Sequence, residues 1–144
     1  MIQFIKGNWE TGEDKFFKKF KVQSSRFKVV KAGRGFVKIF GDKLPFSEHK
    51  KAAENALKLT RTAIKLKKWD LIILDEINVA IDLKLIKAAE VLKILKNLPE
   101  EKTVILTGRN SPQSFIKIAD LVTEMKEIKH PFKKGKLAQK GIEF

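Results

Sequence analysis

Trp69-Asp70-Leu71-Ile72-Ile73-Leu74-Asp75-Glu76 places four consecutive aliphatic residues directly before two carboxylates. A short apolar run without alternation is the pattern of a strand buried on both faces, as in a parallel sheet. Thr103-Val104-Ile105-Leu106 repeats the pattern and runs into Thr107-Gly108-Arg109. Outward from these two runs, shorter strands are expected at residues 1 to 5 and 27 to 30, and a last one at 121 to 125. Amphipathic helices separate them. Ala52, Ala53, Ala56, Leu57, Thr60, Ala63 and Ile64 recur at three- and four-residue spacing, which predicts a helix from Ser47 to Leu66 with Ser47 as its cap. A second helix is expected from Leu83 to Leu98, before Pro99, with Leu85, Ile86, Ala89 and Leu92 inward. Ser111-Pro112 reads as the start of a short third helix, with Phe115, Ile116 and Ala119 inward. Residues 12 to 23 read as a weak helix or an irregular connection.

Strands alternating with helices define an α/β fold, a mostly parallel sheet covered by helices. With 144 residues the chain is expected to form a single domain spanning 1–144. Zero Cys excludes disulfide scaffolds, thiolate metal sites and cysteine nucleophiles, and two separated His argue against an all-histidine metal centre. The apolar opening Met1 to Ile5 turns polar at Lys6, and no apolar run approaches the roughly 18 residues of a membrane span. The sequence reading is therefore a cytoplasmic protein without a membrane partner.

The net charge is +14, and residues 1 to 69 hold 18 basic against 6 acidic groups. Such an excess attracts anions without naming them. A phosphorylated small molecule, a nucleic acid, or simple lysine-rich solvation all satisfy it. The basic segments lack the interleaved aromatics and the recognition helix that would favour nucleic acid.

Parallel α/β sheets bind ligands beyond the carboxyl ends of their strands. Asp75 and Glu76 stand at one such end, where partial burial disfavours two adjacent negative charges unless a cation or donor compensates. An aliphatic strand ending in Asp-Glu suits magnesium–nucleotide chemistry, and a loop carboxylate pair is the plainer alternative. Thr107, Gly108 and Arg109 add a hydroxyl, a permissive backbone and a guanidinium at the neighbouring end. Arg109 reads either as a phosphate contact or as the partner of a carboxylate such as Asp75 or Glu124. Phe16, Phe17, Phe20 and Phe27 read as core or interface side chains. His49 reads as solvent-facing on a lysine-rich helix, and His130, before Pro131, as a capping or packing residue.

Ile2-Gln3-Phe4-Ile5-Lys6-Gly7, Asp75-Glu76-Ile77-Asn78, Ile105-Leu106-Thr107-Gly108-Arg109, Ala119-Asp120-Leu121-Val122-Thr123-Glu124-Met125, Lys129-His130-Pro131-Phe132, Gly135 and Gly141-Ile142-Glu143 form an ordered series along the whole chain. The series resembles the ATP:cob(I)alamin corrinoid adenosyltransferases of the cobalamin pathway, which have a RecA-like P-loop NTPase fold. The resemblance implies transfer of the 5′-deoxyadenosyl group from ATP to the cobalt of a reduced corrinoid, with Mg²⁺ or Mn²⁺ and release of triphosphate. It places Asp75 and Glu76 at the metal–nucleotide site, with Arg109 as a third catalytic residue. Thr107 and Gly108 fall on the triphosphate-facing loop and Glu124 on a carboxylate at the following strand. Gly35 and Phe36 fall on the segment that packs against the corrinoid, and Lys6, Trp9, Gly12 and Glu13 match the stretch after the family's second strand.

Two departures accompany the match. The chain contains no GxxxxGK[ST] phosphate loop, so the expectation is a domain lacking the family's first strand and P-loop, impaired in turnover by itself. A homodimer is the expected assembly, and the missing unit reads equally as carried on a separate chain, lost, or simply not included in these 144 residues. A corrinoid- or nucleotide-binding relative without turnover is the first alternative and a basic RecA-like nucleic-acid-binding fragment the second, which leaves open whether the chain acts alone as an enzyme. The second departure is Lys38, where the family usually has an aromatic residue.

Overall fold

A computed structural model describes residues 1–10, 12–19, 27–38 and 41–137, with the backbone alone for Glu13 and Lys18. The elements in chain order are β1 (Ile2–Gln3), α1 (Gly12–Lys19), β2 (Val30–Lys31), α2 (Phe46–Lys65), β3 (Leu71–Asp75), α3 (Ile77–Asp82), α4 (Ala88–Leu95), β4 (Thr103–Leu106) and α5 (Gln113–Ile116). A 3₁₀ turn follows at Pro131–Lys134. Four strands form one sheet in the order β2-β1-β3-β4, and every pairing is parallel. The registers Ile2↔Leu74 and Leu74↔Leu106 bring the carboxyl ends of β1, β3 and β4 level with one another. This is the α/β parallel architecture that the aliphatic runs call for. No helix among the described residues is long and apolar enough to cross a membrane.

α2 packs on β1 and β3. Its inner stripe of Ala52, Ala53, Ala56, Leu57 and Ile64 is buried, together with Ile2, Phe4, Ile72 and Leu74 of the sheet. Alanines bring the helix backbone close to the strands, and Thr60, fully buried, satisfies its hydroxyl by donating to the Ala56 carbonyl one turn back at 2.9 Å. Lys102, 7% exposed, donates its ammonium to the Leu66 and Trp69 carbonyls at 2.8 and 2.5 Å. The end of α2 and the start of β4 are thereby tied together.

Several details depart from the sequence reading. α2 begins at Phe46 after Pro45, so Ser47 lies inside the helix and makes no cap. The helix expected over 83–98 is shortened to α4 (Ala88–Leu95), because α3 ends at Asp82 and Lys84, in the connection that follows, takes a left-handed φ of 60°. Leu85 and Ile86 are still buried, in the connection, and α4 restarts at Ala88 with Glu90 accepting from the Lys87 amide. Ala89, Ile116 and Ala119 are exposed rather than inward. In β3, Ile72 and Leu74 are buried while Ile73 is half-buried and Leu71 exposed, so burial is uneven between the two faces.

The largest departure is at residues 121 to 125, which form no strand. Leu121 and Met125 are 84% and 95% exposed, and β4 is the edge of the sheet. A five-residue apolar segment gains strand structure only from a neighbour's hydrogen bonds. Here none pairs with it among the described residues. Phe17 meets Phe27 at 5.0 Å as an aromatic pair, Phe16 is exposed, and Phe20 lies outside the described residues.

Candidate active site at the strand ends

Asp75 closes β3 and is held from both sides. Its Oδ1 accepts from the Thr107 hydroxyl at 3.0 Å and its Oδ2 from Gln3 Nε2 at 3.2 Å. One carboxylate thus joins the ends of β1, β3 and β4. Thr107 Oγ1 also accepts from the Glu76 amide at 3.1 Å. Glu76 has φ 60° and ψ 23°. That left-handed geometry is unusual for a glutamate and turns the chain sharply from strand into α3.

Burial, then the charge of Asp75, raises the Glu76 carboxyl above its ordinary value, and Arg109 and Lys6 oppose the shift. The four groups therefore share one electrostatic environment at the sheet edge. Asn78 fixes the second loop by donating its side-chain amide to the Gly108 carbonyl at 3.1 Å and its backbone amide to the Thr107 carbonyl at 3.2 Å. Gly108 has φ +117°, and a Cβ there would come within 3.2 Å of Asn78 Cβ and the Val79 amide. Only glycine takes that backbone readily at such close approach.

Two buried oxygens near these loops, Gln3 Oε1 and Asn78 Oδ1, have no hydrogen-bond partner among the described residues. Buried acceptors left unpaired are uncommon and mark places where a donor, water or cation completes the site. With Asp75, Glu76 and Thr107 the available groups are all oxygen donors, the set preferred by Mg²⁺ and Mn²⁺ over softer metals. No cluster of three His, Cys, Asp or Glu is found among the described residues. Two carboxylates suit a magnesium ion that keeps its remaining positions for water and phosphate.

A second feature stands at the ends of β1 and β2. Gly33 and Gly35 let the chain after β2 press against the chain after β1: a Cβ at Gly33 would lie 2.2 Å from the Ile5 carbonyl oxygen. A Cβ at Gly35, whose φ is +110°, would lie 2.4 Å from the Trp9 ring. Trp9 consequently lies over Gly35 and stacks on Phe36, with centroids 5.7 Å apart and planes 27° apart. Both rings stay about half exposed, at 45% and 50%. Lys31 fastens this arm by donating to the Trp9 carbonyl at 2.8 Å and pairing with Asp14.

The structure therefore gathers Lys6, Asp75, Glu76, Thr107, Gly108 and Arg109, and separately pairs Trp9 with Phe36 over Gly35. Glu124 is not brought in by a strand: it lies exposed in the 121–125 segment. The Glu13 side chain lies outside the described residues. His130 accepts from the Phe132 amide at 3.1 Å, as a capping role requires. Gln3 and Asn78 were missed by sequence reasoning, although each adjoins a motif residue. His49 was misread, for it is 3% exposed and bonded to Asp42.

A parallel sheet with carboxylates, a hydroxyl and cationic groups at its carboxyl edge defines the class of α/β proteins that work on ligands at strand ends. The family model for ATP:corrinoid adenosyltransferases of the BtuR/CobO/CobP type matches residues 1–144. The chain belongs to the corrinoid adenosyltransferase family. It is 39% identical over its whole length to a corrinoid adenosyltransferase of Sinorhizobium sp., covering 65% of that protein. It is 36% identical to one from Pseudomonas aeruginosa and 28% identical to one from Escherichia coli K12, again over the whole chain, covering 68% and 69% of them. The chain thus spans about two thirds of the length of these relatives.

Proposed function

We propose that this chain acts in transfer of the 5′-deoxyadenosyl group from ATP to the cobalt of a reduced corrinoid, in adenosylcobalamin synthesis. The observation that carries the reading is the cluster in which Asp75, bonded to Thr107 and Gln3, sits beside Glu76 in the field of Arg109 and Lys6. In the reaction a cobalt–carbon bond forms at C5′ as the bond from C5′ to the triphosphate oxygen breaks. The leaving group carries several negative charges, and donors and cations prearranged around it lower the barrier.

Asp75 and Glu76 would hold Mg²⁺ or Mn²⁺, which supplies charge neutralisation to the phosphates. Thr107 orients Asp75 through its hydroxyl, and the neighbouring amides of the Gly108 loop are candidate phosphate donors. Arg109 and Lys6 offset developing negative charge. The half-exposed rings of Trp9 and Phe36 supply a flat apolar surface suited to one face of the macrocycle.

These 144 residues contain no GxxxxGK[ST] motif, so the nest of amides and the lysine of a phosphate loop belong, in this reading, to a unit added to the sheet. Supporting this, β4 has an open edge with Ile105 43% exposed, followed by the exposed Leu121, Val122 and Met125. A further parallel strand there would deliver its loop beside Thr107 and Arg109, and would give residues 121 to 125 a neighbour. We take the assembly to be a cytoplasmic homodimer with ATP and reduced corrinoid as substrates.

The test is an anaerobic assay with ATP, Mg²⁺ and reduced corrinoid that follows formation of the cobalt–carbon bond by absorbance, with and without a polypeptide carrying the phosphate-loop unit. Turnover on complementation that is lost in Glu76→Ala supports the reading. Corrinoid binding without turnover under any complementation leaves instead a binding relative, and absence of both corrinoid and nucleotide binding defeats it.

A further inference from the structure

Asp42 and His49 form a buried pair that the chemistry above does not use. The imidazole Nε2 and the Asp42 Oδ2 are 3.0 Å apart, and the two side chains are 2% and 7% exposed. Oδ2 also accepts from the Lys38 amide at 2.9 Å, and Oδ1 from the Leu44 amide at 3.0 Å. These backbone bonds, first Lys38 and then Leu44, with His49 adding to them, hold the Asp42 carboxyl below its ordinary value. A single carboxylate thus ties two points of the connection before α2, Lys38 and Leu44, to His49 of the helix itself. It is not a helix cap, because neither amide belongs to α2, whose N-cap is Pro45.

The connection carries half of the aromatic surface. Phe36 is stacked on Trp9, the next residue Val37 is 5% exposed in the core, and Lys38 has φ 60°. A lysine stays in that left-handed region when surrounding contacts hold it there, and the captured Lys38 amide is such a contact. Lys38 Nζ is accordingly directed over the Phe46 ring, 4.7 Å from its centroid. The cation lies against the first residue of α2 and the Phe36 ring stays half exposed.

We propose that Asp42 and His49 are positioning residues that clasp the 36–46 connection so that Phe36 and Trp9 present one apolar surface to the corrin macrocycle. The choice of ligand rests on the function proposed above; the clasp itself does not. His49 acts through Asp42, Asp42 through the Lys38 and Leu44 amides, and those fix the segment bearing Phe36.

The chain has two tryptophans, so Trp69→Phe leaves Trp9 as the sole indole reporter. In that background we would compare His49→Ala, His49→Gln, Asp42→Asn and the core variant Ile94→Ala. The readouts are acrylamide quenching of Trp9 and its quenching by aquacobalamin, measured well below each melting temperature. Loss of one hydrogen bond to a charged group should weaken aquacobalamin binding about tenfold in His49→Ala. Acrylamide quenching of Trp9 should rise at the same time. His49→Gln, whose amide can donate to Asp42, should recover most of both losses, and Ile94→Ala should lower the melting temperature while changing neither.

If His49→Ala does not fold, Asp42→Asn gives the same comparison, expected to lose affinity and expose Trp9. A His49→Ala or Asp42→Asn protein that melts lower but keeps both quenching curves overturns the clasp. A parent protein that does not bind aquacobalamin overturns the corrinoid reading instead, and the acrylamide series then decides the clasp by itself.

Discussion

The ends of β3 and β4 and the segment after α5 carry similar sequences and reach different structures. Leu71–Asp75 and Thr103–Leu106 pair with each other along four registered positions, and Leu74 is fully buried. Leu121-Val122-Thr123-Glu124-Met125 also runs from aliphatic residues to a carboxylate, yet lies exposed. The difference is a neighbour. A parallel strand has no local turn to fold onto, so its hydrogen bonds and its burial both depend on the adjacent strand being present. Where pairing exists, Thr107 and Gln3 fix a carboxylate between three strand ends; where it does not, Glu124 is left outside the site.

The first way to break this comparison is by cavity. Leu74→Ala should cost about 2–5 kcal/mol in chemical denaturation, because the buried side chain is lost between α2 and the sheet, whereas Leu121→Ala should leave the midpoint within about 0.5 kcal/mol. Comparable losses at both positions would mean that residues 121 to 125 are already packed.

Next is chemistry. Asp75→Asn should lower complemented adenosyl transfer by about 10²–10³-fold, the usual order for removing a prearranged electrostatic group, while Glu124→Gln should change it by less than about twofold in the structure described. Progress curves at saturating ATP would compare them. A large Glu124 effect, appearing only with the phosphate-loop unit bound, would sharpen the comparison by showing that the added strand draws this carboxylate inward.

A smaller effect concerns pH. The folded Glu76 carboxyl titrates above its ordinary 4.5, so the folded state binds this proton more tightly than the unfolded chain does. Its contribution is full below the unfolded value and is lost as pH rises through the folded one. Glu76→Gln should therefore melt higher than the parent near neutral pH, with the advantage disappearing below the ordinary carboxylate range. Adding Mg²⁺ should narrow the difference at neutral pH by stabilising the parent. An advantage that grows on acidification would contradict the assigned burial.

The smallest effect tests the open edge. Ile105→Lys, on exposed β4, should keep the melting temperature while reducing self-association at high concentration, since a charge on an unpaired strand edge opposes strand addition. Sedimentation across a concentration series would read it, and a monomer throughout in the parent would count against the proposed homodimer.

Much of this was legible before the fold was known, for reasons that differ by element. β3 and β4 were readable because their unbroken aliphatic runs fit few other structures, and α2 because its alanines repeat at helical spacing from Ala52 to Ala63. The acidic pair followed from its place after β3. The late start of α4 was not readable, since Leu85 and Ile86 extend the apolar spacing of Leu92 backwards although they lie in the connection, and the left-handed backbone of Lys84 before them is announced by no side-chain pattern. His49 was readable and missed: it lies three and four residues before Ala52 and Ala53, at the head of the same buried stripe, and Asp42 seven residues earlier offers its partner. Gln3 became visible only through the β1–β3 register, which pairs it with Asp75.

Lys102 carries a consequence for chemical labelling. Its ammonium is buried and donates to the two carbonyls that end α2 and lead into β3, whereas lysines such as Lys50, Lys51 and Lys117 are exposed. Acylating reagents need the free amine, so a folded molecule should be modified on its exposed lysines while Lys102 stays intact. Acylation there would remove the charge and leave two carbonyls to find water in a closed space. The extent of Lys102 modification, followed peptide by peptide in a denaturant series, would then serve as a clock for opening of the joint between α2 and β4, read in a protein whose surface amines are already spent.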